Sequence, residues 1–460
     1  MRRIIDYRIV ISKNATHNER RAAAFIRNNI RLVTGCLVPV VDDGQDAVGK
    51  EIIVGCTNRE KEGFIKNRDR NGLYQYVIKN DGERLFICGL GIPDTPPEVY
   101  SNPYRYIDEG DIGTLMGAYR FVEDFLGYSF IYDGYAELKE NRDAVIPQSC
   151  NIEYTNEGLK SKNIPLFNGE CIYMLPVTEH LHQNLMSFVI KTNSGKLIVI
   201  DGGQAKETEN LLGVLAQLTP DGQIPVVSAW LLTHLHDDHY GVITNIINRY
   251  GEYSERIKIE SFYCNLLCDE FYSTLSAEAG ESCRWYKPVR DALLSCEEKI
   301  GCKLYAVERG DKIEVDDVSF MVIHAPEMQY AKKMNINDSS VVYKMTAGCG
   351  QTVLFLGDAE SVCSNDLLEN HQNELKSDVV QVGHHGGGSV SPECYRAIDA
   401  KYYLWQAGNK FWYGEKGEGL GTHNIGLIRT RNLLRSMGVP EKAIIRDTNG
   451  IVGMKFPINR

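Results

Sequence analysis

The chain has 460 residues, of which 43% are hydrophobic and 24% charged, and its net charge is -11. This length exceeds one ordinary core, so we expect two domains of globular composition. The acidic balance argues against tight, unspecific binding to long nucleic acid, and no stretch of about 18 apolar residues is present to span a membrane.

The N-terminus, "MRRIIDYRIVISKN", combines basic residues with a short apolar run, as a signal peptide does. Asp6 and Arg8 interrupt that run, however, and no small-residue cleavage site follows it. We therefore interpret it as a first β-strand. The 13 cysteines are then expected to be reduced, and the protein to be cytoplasmic.

Residues 1–155 predict an α/β domain that carries no chemistry of its own. "YRIVIS", "LVPVV" and "KEIIVG" predict strands, and "LYQYVIKNDGERLFICG" predicts a hairpin that turns at Asn80-Asp81-Gly82. Two helices are predicted, one over "NERRAAAFIRNNIRLVTG" ending at Gly35 and one over "GTLMGAYRFVEDFLG" ending at Gly127. No cluster of His, Cys and carboxylate residues is found there, so packing or recognition is the expected role.

This first domain resembles the non-catalytic α/β domain that precedes the barrel in hexosaminidases and α-glucuronidases. The resemblance covers residues 5–135 and rests on "ERRAAAFIRNNIRLVTGCLVPVV", "EIIVG" and "GTLMGAYRFVEDFLGYSFIYD". In those families the domain accompanies carbohydrate-active catalysts, but no glycosidase barrel follows here. A polar, irregular stretch over residues 136–165 predicts the boundary to a second domain over 160–460.

The second domain begins with a predicted hairpin, "LMSFVIKTNSGKLIVIDGG", and a helix that Pro220 ends. The continuous apolar run "PVVSAWLLT" is typical of a strand that is buried on both faces. "THLHDDHYGV" follows directly, and "YGVITNIINRYG" predicts the next helix. Its three histidines therefore lie between a buried strand and a helix, where α/β proteins usually place ligand sites.

The spacing of these histidines favours a metal site. His234 and His236 are two residues apart, and in an extended segment such side chains point to the same side. Both imidazoles can therefore reach one ion, while Asp238 and His239 can face a second ion. A buried loop could not leave these groups without partners. Asp237 breaks the alternation, so we expect it to point outward or to cap the helix.

The pattern His-x-His-x-Asp-His after "IDGG" resembles the metallo-β-lactamase superfamily over residues 165–458. The resemblance implies an α/β fold, an αββα sandwich preceded here by the N-terminal α/β accessory domain. It implies that Asp201 orients the metal loop and that Asp358, in "TVLFLGDAE", bridges two ions. In "VVQVGHHGGGS" we favour His384 as the ligand and His385 as its neighbour, and the reverse assignment stays open.

The resemblance thus implies two divalent metal ions. His234, His236 and Asp358 would hold the first, and the ligands of the second are expected to be Asp238, His239, Asp358 and His384. Nitrogen and carboxylate ligands favour Zn²⁺, with Mn²⁺ or Fe²⁺ as alternatives. Such a pair lowers the pKa of a bridging water to ~7. The residues expected to act on the substrate are Asp238, His385 and His423, with Ser389 as a further hydrogen-bond donor.

One departure from the superfamily pattern concerns a histidine that many members place before the strand of the bridging aspartate. His324 comes too early for that position, so we predict it to be packed or to support a ligand. Asn335, Asn337 or Asp338 holds the expected position instead.

"NDSSVVYK" and "HHGG" resemble a subgroup, the competence-type DNA-uptake nuclease domains and the teichoic-acid phosphorylcholine esterases. That subgroup has Ser where Gly387 stands.

Three functions are compatible with these patterns. The favoured one is a metallo-hydrolase that uses metal-bound hydroxide on a phosphodiester, with a small or glycan-linked anionic substrate. The second is a hydrolase of carboxylic esters, lactones or thioesters on the same metals. The third is a glycan- or partner-binding protein with weak or lost catalysis. The sequence leaves the oligomeric state open.

Overall fold

The computed structural model describes most of the chain. The described residues are 2–61, 64–65, 74–89, 112–127, 129–130, 136–137, 141–146, 149–154, 164–177, 184–267, 269–275, 279–388, 390–414, 425–446 and 450–458. None of the helices within these ranges is long and apolar enough to cross a membrane. The cysteines whose side chains the structure describes form no disulfide bond.

The chain forms two compact units. Unit 1 comprises Met1–Leu159, Thr178–Gln183 and Gly408–Asn432, and unit 2 comprises Lys160–Val177, Asn184–Ala407 and Leu433–Arg460. The sequence predicted a continuous domain over 160–460, and the structure differs because a late segment packs in unit 1. Glu123 accepts hydrogen bonds there from the Tyr413 hydroxyl at 2.7 Å and the Arg431 guanidinium at 2.8 Å.

Unit 1 is an α/β unit with a six-stranded sheet in the order β10-β5-β6-β4-β2-β3. Its strands are β1 (Arg2–Arg3), β2 (Arg8–Ile11), β3 (Val40–Asp42), β4 (Glu51–Val54), β5 (Tyr76–Asn80), β6 (Leu85–Gly89), β7 (Ser129–Phe130), β8 (Ala136–Glu137), β9 (Val145–Ile146) and β10 (Asn151–Tyr154). Two short pairs, β1 with β9 and β7 with β8, lie outside that sheet. The predicted hairpin over 73–89 is confirmed, because β5 (Tyr76–Asn80) and β6 (Leu85–Gly89) pair antiparallel.

Both predicted helices of unit 1 are confirmed, as α1 (His17–Thr34) and α2 (Ile112–Leu126). A capping box starts α1: the Thr16 side chain accepts from the Glu19 N–H, and the Glu19 carboxylate accepts from the Thr16 N–H. The helix ends at Gly35, whose φ of 77° lies in the left-handed region that glycine tolerates. The resemblance of this unit to the glycosidase-associated domain stays a prediction.

Unit 2 contains two mixed sheets that pack face to face. The first sheet is made of β11 (Cys171–Met174), β12 (Ser187–Lys191), β13 (Leu197–Asp201), β14 (Val226–Leu231), β15 (Lys258–Ile259), β16 (Ser261–Cys264), β17 (Lys303–Ala306) and β25 (Val452–Lys455). The second is made of β18 (Lys312–Val315), β19 (Val318–His324), β20 (Val342–Thr346), β21 (Thr352–Phe355), β22 (Val379–Gln381), β23 (Tyr402–Trp405) and β24 (Ile444–Arg446). Their orders are β17-β16-β14-β13-β12-β11-β25, with β15 beside β14, and β18 through β24 in sequence.

The core between these sheets is apolar and draws on both. Phe188 of the first sheet meets Phe355 of the second with ring centroids 5.3 Å apart, and Ile198, Tyr343 and Leu404 belong to the same buried cluster. Apolar side chains on alternate positions of each strand supply this layer.

Helices cover the outer faces of both sheets. The helices of unit 2 from residue 208 onward are α3 (Thr208–Leu218), α4 (Asp237–Asn248), α5 (Tyr250–Tyr253), α6 (Asp269–Thr274), α7 (Ala279–Leu294), α8 (Cys296–Ile300), α9 (Ser361–Leu375) and α10 (Pro392–Ile398). Of the later helices, α11 (Asn409–Tyr413) and most of α12 (Ile425–Ser436) belong to unit 1. Helices α3, α4 and α7 bury Leu215, Ile246 and Val289 in one cluster with Trp230 of the first sheet. Helices α9 and α10 pack together, and α9 contacts β19 of the second sheet. The predicted αββα layering is confirmed.

The topology gathers several strand ends at one edge of this sandwich. Strands β13 and β14 are parallel, as are β21 and β22, so the carboxyl ends within each pair point the same way. Val341, before β20, donates its N–H to the carbonyl of Thr233 at 2.8 Å, which ties the two sheets together beside the histidine motif.

Candidate metal centre

Two groups of possible metal ligands lie at this edge of unit 2. The first contains His234, His236 and Asp358, and the second contains Asp238, His239 and His385. Within each group the ligand atoms lie within 4.8 Å of one another. Among the described residues, both groups draw on the motif after β14, and each adds a residue that follows a strand of the second sheet.

The first group forms because the chain stays extended after β14. The ring nitrogens Nε2 of His234 and Nδ1 of His236 lie 3.0 Å apart, and the two ring centroids are separated by 4.9 Å. Helix α4 then begins at Asp237, which places Asp238 and His239 in its first turn. The motif therefore places His234 and His236 after the strand and Asp238 and His239 at the start of the helix. The two pairs contribute to different ligand groups. Asp237 is half-buried and belongs to neither group.

Asp358 lies between the two groups. Its Oδ2 is 3.3 Å from Nε2 of His239, 3.6 Å from Nε2 of His385 and 4.0 Å from Nε2 of His234. The Ser340 hydroxyl accepts a hydrogen bond from the Asp358 N–H at 3.0 Å. Gly357 precedes it with a φ of 56°, and a Cβ there would lie 2.8 Å from Cβ of Thr233. Only glycine thus lets this strand end approach the histidine motif.

Asp201 positions His239, a residue of the second group, but does not itself belong to that group. Its Oδ2 lies 2.8 Å from Nδ1 of His239, and its Oδ1 accepts from the Thr233 N–H at 2.8 Å. A carboxylate at Nδ1 fixes the proton on that nitrogen and leaves Nε2 as the atom that can bind a metal. This is the orienting role that the resemblance implied for Asp201.

The structure places His385, rather than His384, in the second group. The sequence favoured His384 as the ligand and left the reverse assignment open. The geometry agrees with the reverse assignment. The Nδ1 atom of His385 lies 3.1 Å from the backbone carbonyl of Gln406, and its Nε2 lies 3.3 Å from Oδ2 of Asp238. Gln406 was not identified from the sequence. Its buried amide donates to the carbonyls of Leu175 and Ser187, which fixes its backbone beside the histidine.

His384 points elsewhere, although it is the neighbour of His385. Its Nδ1 lies 3.1 Å from Oε1 of Glu360, a residue that the sequence did not single out although it follows Asp358 by two positions. Burial would lower the pKa of His384, but the carboxylates of Asp358 and Glu360 outweigh burial and raise that pKa to about 8.

The remaining residues named from the sequence are His324, His423 and Ser389. Nδ1 of His324 lies 2.8 Å from Oδ2 of Asp366 on α9, and His324 belongs to neither ligand group. This agrees with the prediction that it is packed. His423 and Ser389 lie outside the described residues.

The site fits a cation by the chemistry of its buried atoms. Nε2 of His239, Nε2 of His385 and Oδ1 of Asp358 are buried and have no partner with hydrogen-bond geometry. Buried polar atoms without partners are costly, so their convergence fits a bound cation. All six ligands offer nitrogen or carboxylate oxygen, which suits Zn²⁺, Mn²⁺ or Fe²⁺.

The charges within the site agree with this fit. Burial would raise the pKa of Asp358, but the imidazoles of His239 and His385 outweigh it and hold that pKa well below its usual range. Burial, reinforced by the charge of His239, lowers the pKa of the His234 imidazole. Ionised carboxylates and neutral imidazoles are the forms that bind metals. Burial would lower the pKa of His239, but the carboxylates of Asp358, Asp201 and Asp238 outweigh burial and hold that pKa well above its usual range, so a metal ion held by His239 would displace a proton from it.

Three features decide the architecture. Two facing sheets lie between helices, a His-x-His-x-Asp-His motif follows one strand end, and the facing sheet supplies an aspartate and a histidine. Unit 2 has a metallo-β-lactamase fold. This assignment rests on the sheet order, the core and the positions of the ligands in the chain itself.

Comparisons with known proteins were made for the whole chain. No protein-family model matches it. It is 29% identical over 149 residues to ComE operon protein 3 of Bacillus subtilis (strain 168), and the match covers 31% of this chain and 19% of that protein. The chain therefore matches about a fifth of the length of this relative.

Solved structures to which the chain is similar include YhfI, described as a metallo-β-lactamase fold protein, and PqqB. YhfI of Bacillus subtilis has 11% identity and a TM-score of 0.38, with 62% of this chain and 99% of that one covered. Zn²⁺-bound PqqB of Methylobacterium extorquens has 12% identity and a TM-score of 0.35, with 59% and 87% covered.

Proposed function

We propose that unit 2 is a metal-dependent hydrolase with a dinuclear site, and that its substrate is a phosphodiester. One observation carries the proposal: two sets of ligand atoms converge around Asp358, and three of those atoms are buried without hydrogen-bond partners. A shared carboxylate between two ligand sets is the arrangement that holds two ions close together.

The residues of the chain would divide the work as follows. His234, His236 and Asp358 would hold one ion, and Asp238, His239 and His385 would hold the other, with Asp358 shared. When bound, such ions supply a water nucleophile at neutral pH and a Lewis acid for the substrate oxygen. Asp201 and the carbonyl of Gln406 keep the rings of His239 and His385 in the orientation that presents Nε2.

A phosphodiester is favoured over a neutral ester for two reasons. The group of His234, His236 and Asp358 offers only three protein ligands among the described residues, which leaves room for substrate oxygens. The "NDSSVVYK" and "HHGG" segments also resemble domains that act on phosphodiesters. With a net charge of -11, the chain would attract an anionic substrate only through local positive charge such as bound ions.

Metal analysis and a substrate panel test the proposal together. Purified protein should hold close to two metal ions per chain, and a strong chelator should abolish activity. The panel contains bis(p-nitrophenyl) phosphate, p-nitrophenyl phosphorylcholine and a set of lactones, each assayed with and without chelator. Chelator-sensitive turnover of a phosphodiester is expected.

Two outcomes contradict the proposal at different levels. Turnover of lactones alone would replace the phosphodiester with a carboxylic ester on the same metals. Less than half an ion per chain would remove the metallo-hydrolase itself and leave a binding protein as the better interpretation.

A further inference from the structure

Cys296 and Cys302 form a pair of thiols in unit 2, and neither belongs to a metal-ligand group. Their sulfur atoms are 3.6 Å apart, which lets the Cys302 thiol donate a hydrogen bond to Cys296. The Cys296 sulfur also lies 3.5 Å from the carbonyl oxygen of Cys302. A disulfide bond of about 2.05 Å therefore needs the two sulfurs to approach by only roughly 1.5 Å.

The chain between the two cysteines forms a tight turn. Helix α8 (Cys296–Ile300) begins at the first cysteine, and Gly301 ends the helix directly before the second, with a φ of 71°. The Gly301 N–H donates to the carbonyl of Glu297 at 3.0 Å. Because glycine tolerates this left-handed backbone, the chain reverses there and brings Cys302 back beside the start of the helix.

The contact makes the two thiols unequal. The hydrogen bond from Cys302, together with the N–H groups of Cys296 and Glu297, outweighs burial and lowers the pKa of Cys296. The same hydrogen bond, together with burial, raises the pKa of Cys302. The thiolate is the nucleophilic form of cysteine, so Cys296 is the thiol that reacts first and Cys302 is the thiol that attacks second.

A thin layer of exposed residues covers the pair. Cys296 and Cys302 are 1% and 0% exposed, whereas Glu297, Glu298 and Lys299 between them are exposed. Local opening of a short surface turn requires less free energy than unfolding of the whole domain. Such an opening admits a small oxidant to both sulfur atoms.

We propose that Cys296 and Cys302 are a modification site, at which hydrogen peroxide converts the two thiols into an intramolecular disulfide bond. The Cys296 thiolate attacks one peroxide oxygen, which breaks the O–O bond and yields a sulfenic acid and hydroxide. The Cys302 thiol gives its proton to that hydroxide, and its sulfur attacks the Cys296 sulfur and displaces a second hydroxide. This hydroxide takes up the proton that Cys296 had released, so one peroxide becomes two waters while two thiols lose two electrons.

The bond fixes one end of the first sheet. Strand β17 (Lys303–Ala306) starts directly after Cys302, pairs with β16 and is the last strand in the order of that sheet. Closing the loop of seven residues from Cys296 to Cys302 restricts the unfolded chain, so the disulfide stabilises the folded position of β17. Since neither cysteine is in a ligand group, formation of the bond does not depend on the proposed hydrolase.

Peptide mapping of the full chain tests the site. Reduced protein is freed of reductant, treated with hydrogen peroxide, alkylated with iodoacetamide under denaturing conditions and digested with trypsin without reduction. The peptides DALLSCEEK (291–299) and IGCK (300–303) should appear joined, two hydrogen masses below their sum. Dithiothreitol should release both, and the oxidised protein should unfold at a temperature about 3–6 °C above that of the reduced protein.

Three substitutions separate the roles of the two thiols. Cys302→Ala should leave Cys296 as a sulfenic acid that dimedone traps, because no second thiol attacks it. Cys296→Ala should leave Cys302 as a thiol at the same dose of peroxide. Cys394→Ala removes another cysteine that is 0% exposed and is the matched control, so it should form the same disulfide as the wild type.

Three results would overturn the proposal. In the first, Cys296 and Cys302 of the wild type stay unoxidised while the exposed Cys349 is oxidised. In the second, either of them is joined to a different cysteine. In the third, the disulfide leaves the unfolding temperature unchanged or lowers it, which would show that the bond does not fit the folded turn. None of these readouts uses metal content or hydrolase activity, so failure here is distinct from failure of the proposed function.

Discussion

Replacing Asp201 with Asn tests how the metal centre is built, because Asn keeps the shape of the side chain but replaces a carboxylate oxygen with an NH₂ donor and removes the negative charge. Asp201 is fully buried, and its φ of 55° is one that Asn tolerates. Its Oδ1 must keep accepting from the Thr233 N–H at 2.8 Å. The amide NH₂ of Asn would therefore face Nδ1 of His239, where a carboxylate oxygen now lies 2.8 Å away.

Two donors cannot face each other, so His239 would move its proton to Nε2, the atom that should bind the metal. Loss of such a supporting partner typically weakens metal binding 10–100-fold, which corresponds to about 1.4–2.8 kcal/mol. We expect Asp201→Asn to lose that much affinity at the second group only. The first group, with His234 and His236, should change by less than about 3-fold.

A competition titration between the protein and a chromophoric zinc chelator measures both affinities. Asp237→Asn is the matched control, because it changes the adjacent motif at a residue outside both ligand groups. It should leave both affinities within about 2-fold of the wild type. If Asp201→Asn kept wild-type affinity at both groups, orientation of His239 by Asp201 would have no part in metal binding.

Three further substitutions test other parts of the structure. Asp358→Asn should reduce the zinc content toward zero, since Oδ2 of Asp358 faces both groups; retention of two ions and full activity would refute the shared position. His324→Ala should keep both ions and full activity but lower the free energy of unfolding by about 1–3 kcal/mol, because its 2.8 Å contact with Asp366 is lost; a folded variant without zinc would instead make His324 a ligand. Burial raises the pKa of Glu170 from 4.5 to about 7, so the folded state holds the proton more tightly and stability falls as pH rises from 4.5 through 7. Glu170→Gln keeps an acceptor for the Gly348 N–H. In denaturant unfolding it should stabilise the protein by about 1 kcal/mol at pH 8 and by nothing at pH 4. Equal effects at both pH values would contradict a titrating Glu170.

The elements of both units were largely predictable from the sequence because each depends on local patterns. The hairpins that became β5–β6 and β12–β13, the buried strand β14 and the helix α4 follow from apolar periodicity and turn residues. The same holds for His234 and His236, whose two-residue spacing in an extended segment already places both rings on one side.

The sequence did not predict the features that depend on residues far apart in the chain. Glu360 and Gln406 act through contacts that arise only when strands of the sandwich lie side by side. The inclusion of Gly408–Asn432 in unit 1 is of the same kind, since Glu123 meets Tyr413 and Arg431 across about 300 positions.

The sequence by itself determined that a metal-binding motif follows a buried strand, because strand periodicity and ligand spacing are properties of neighbouring residues. Only the tertiary structure decided between His384 and His385. The two are adjacent and chemically identical, and a pair of left-handed backbone angles turns one ring toward Asp238 and Asp358 and the other toward Glu360. Those angles are set by the strands and loops that surround them, which no local pattern encodes.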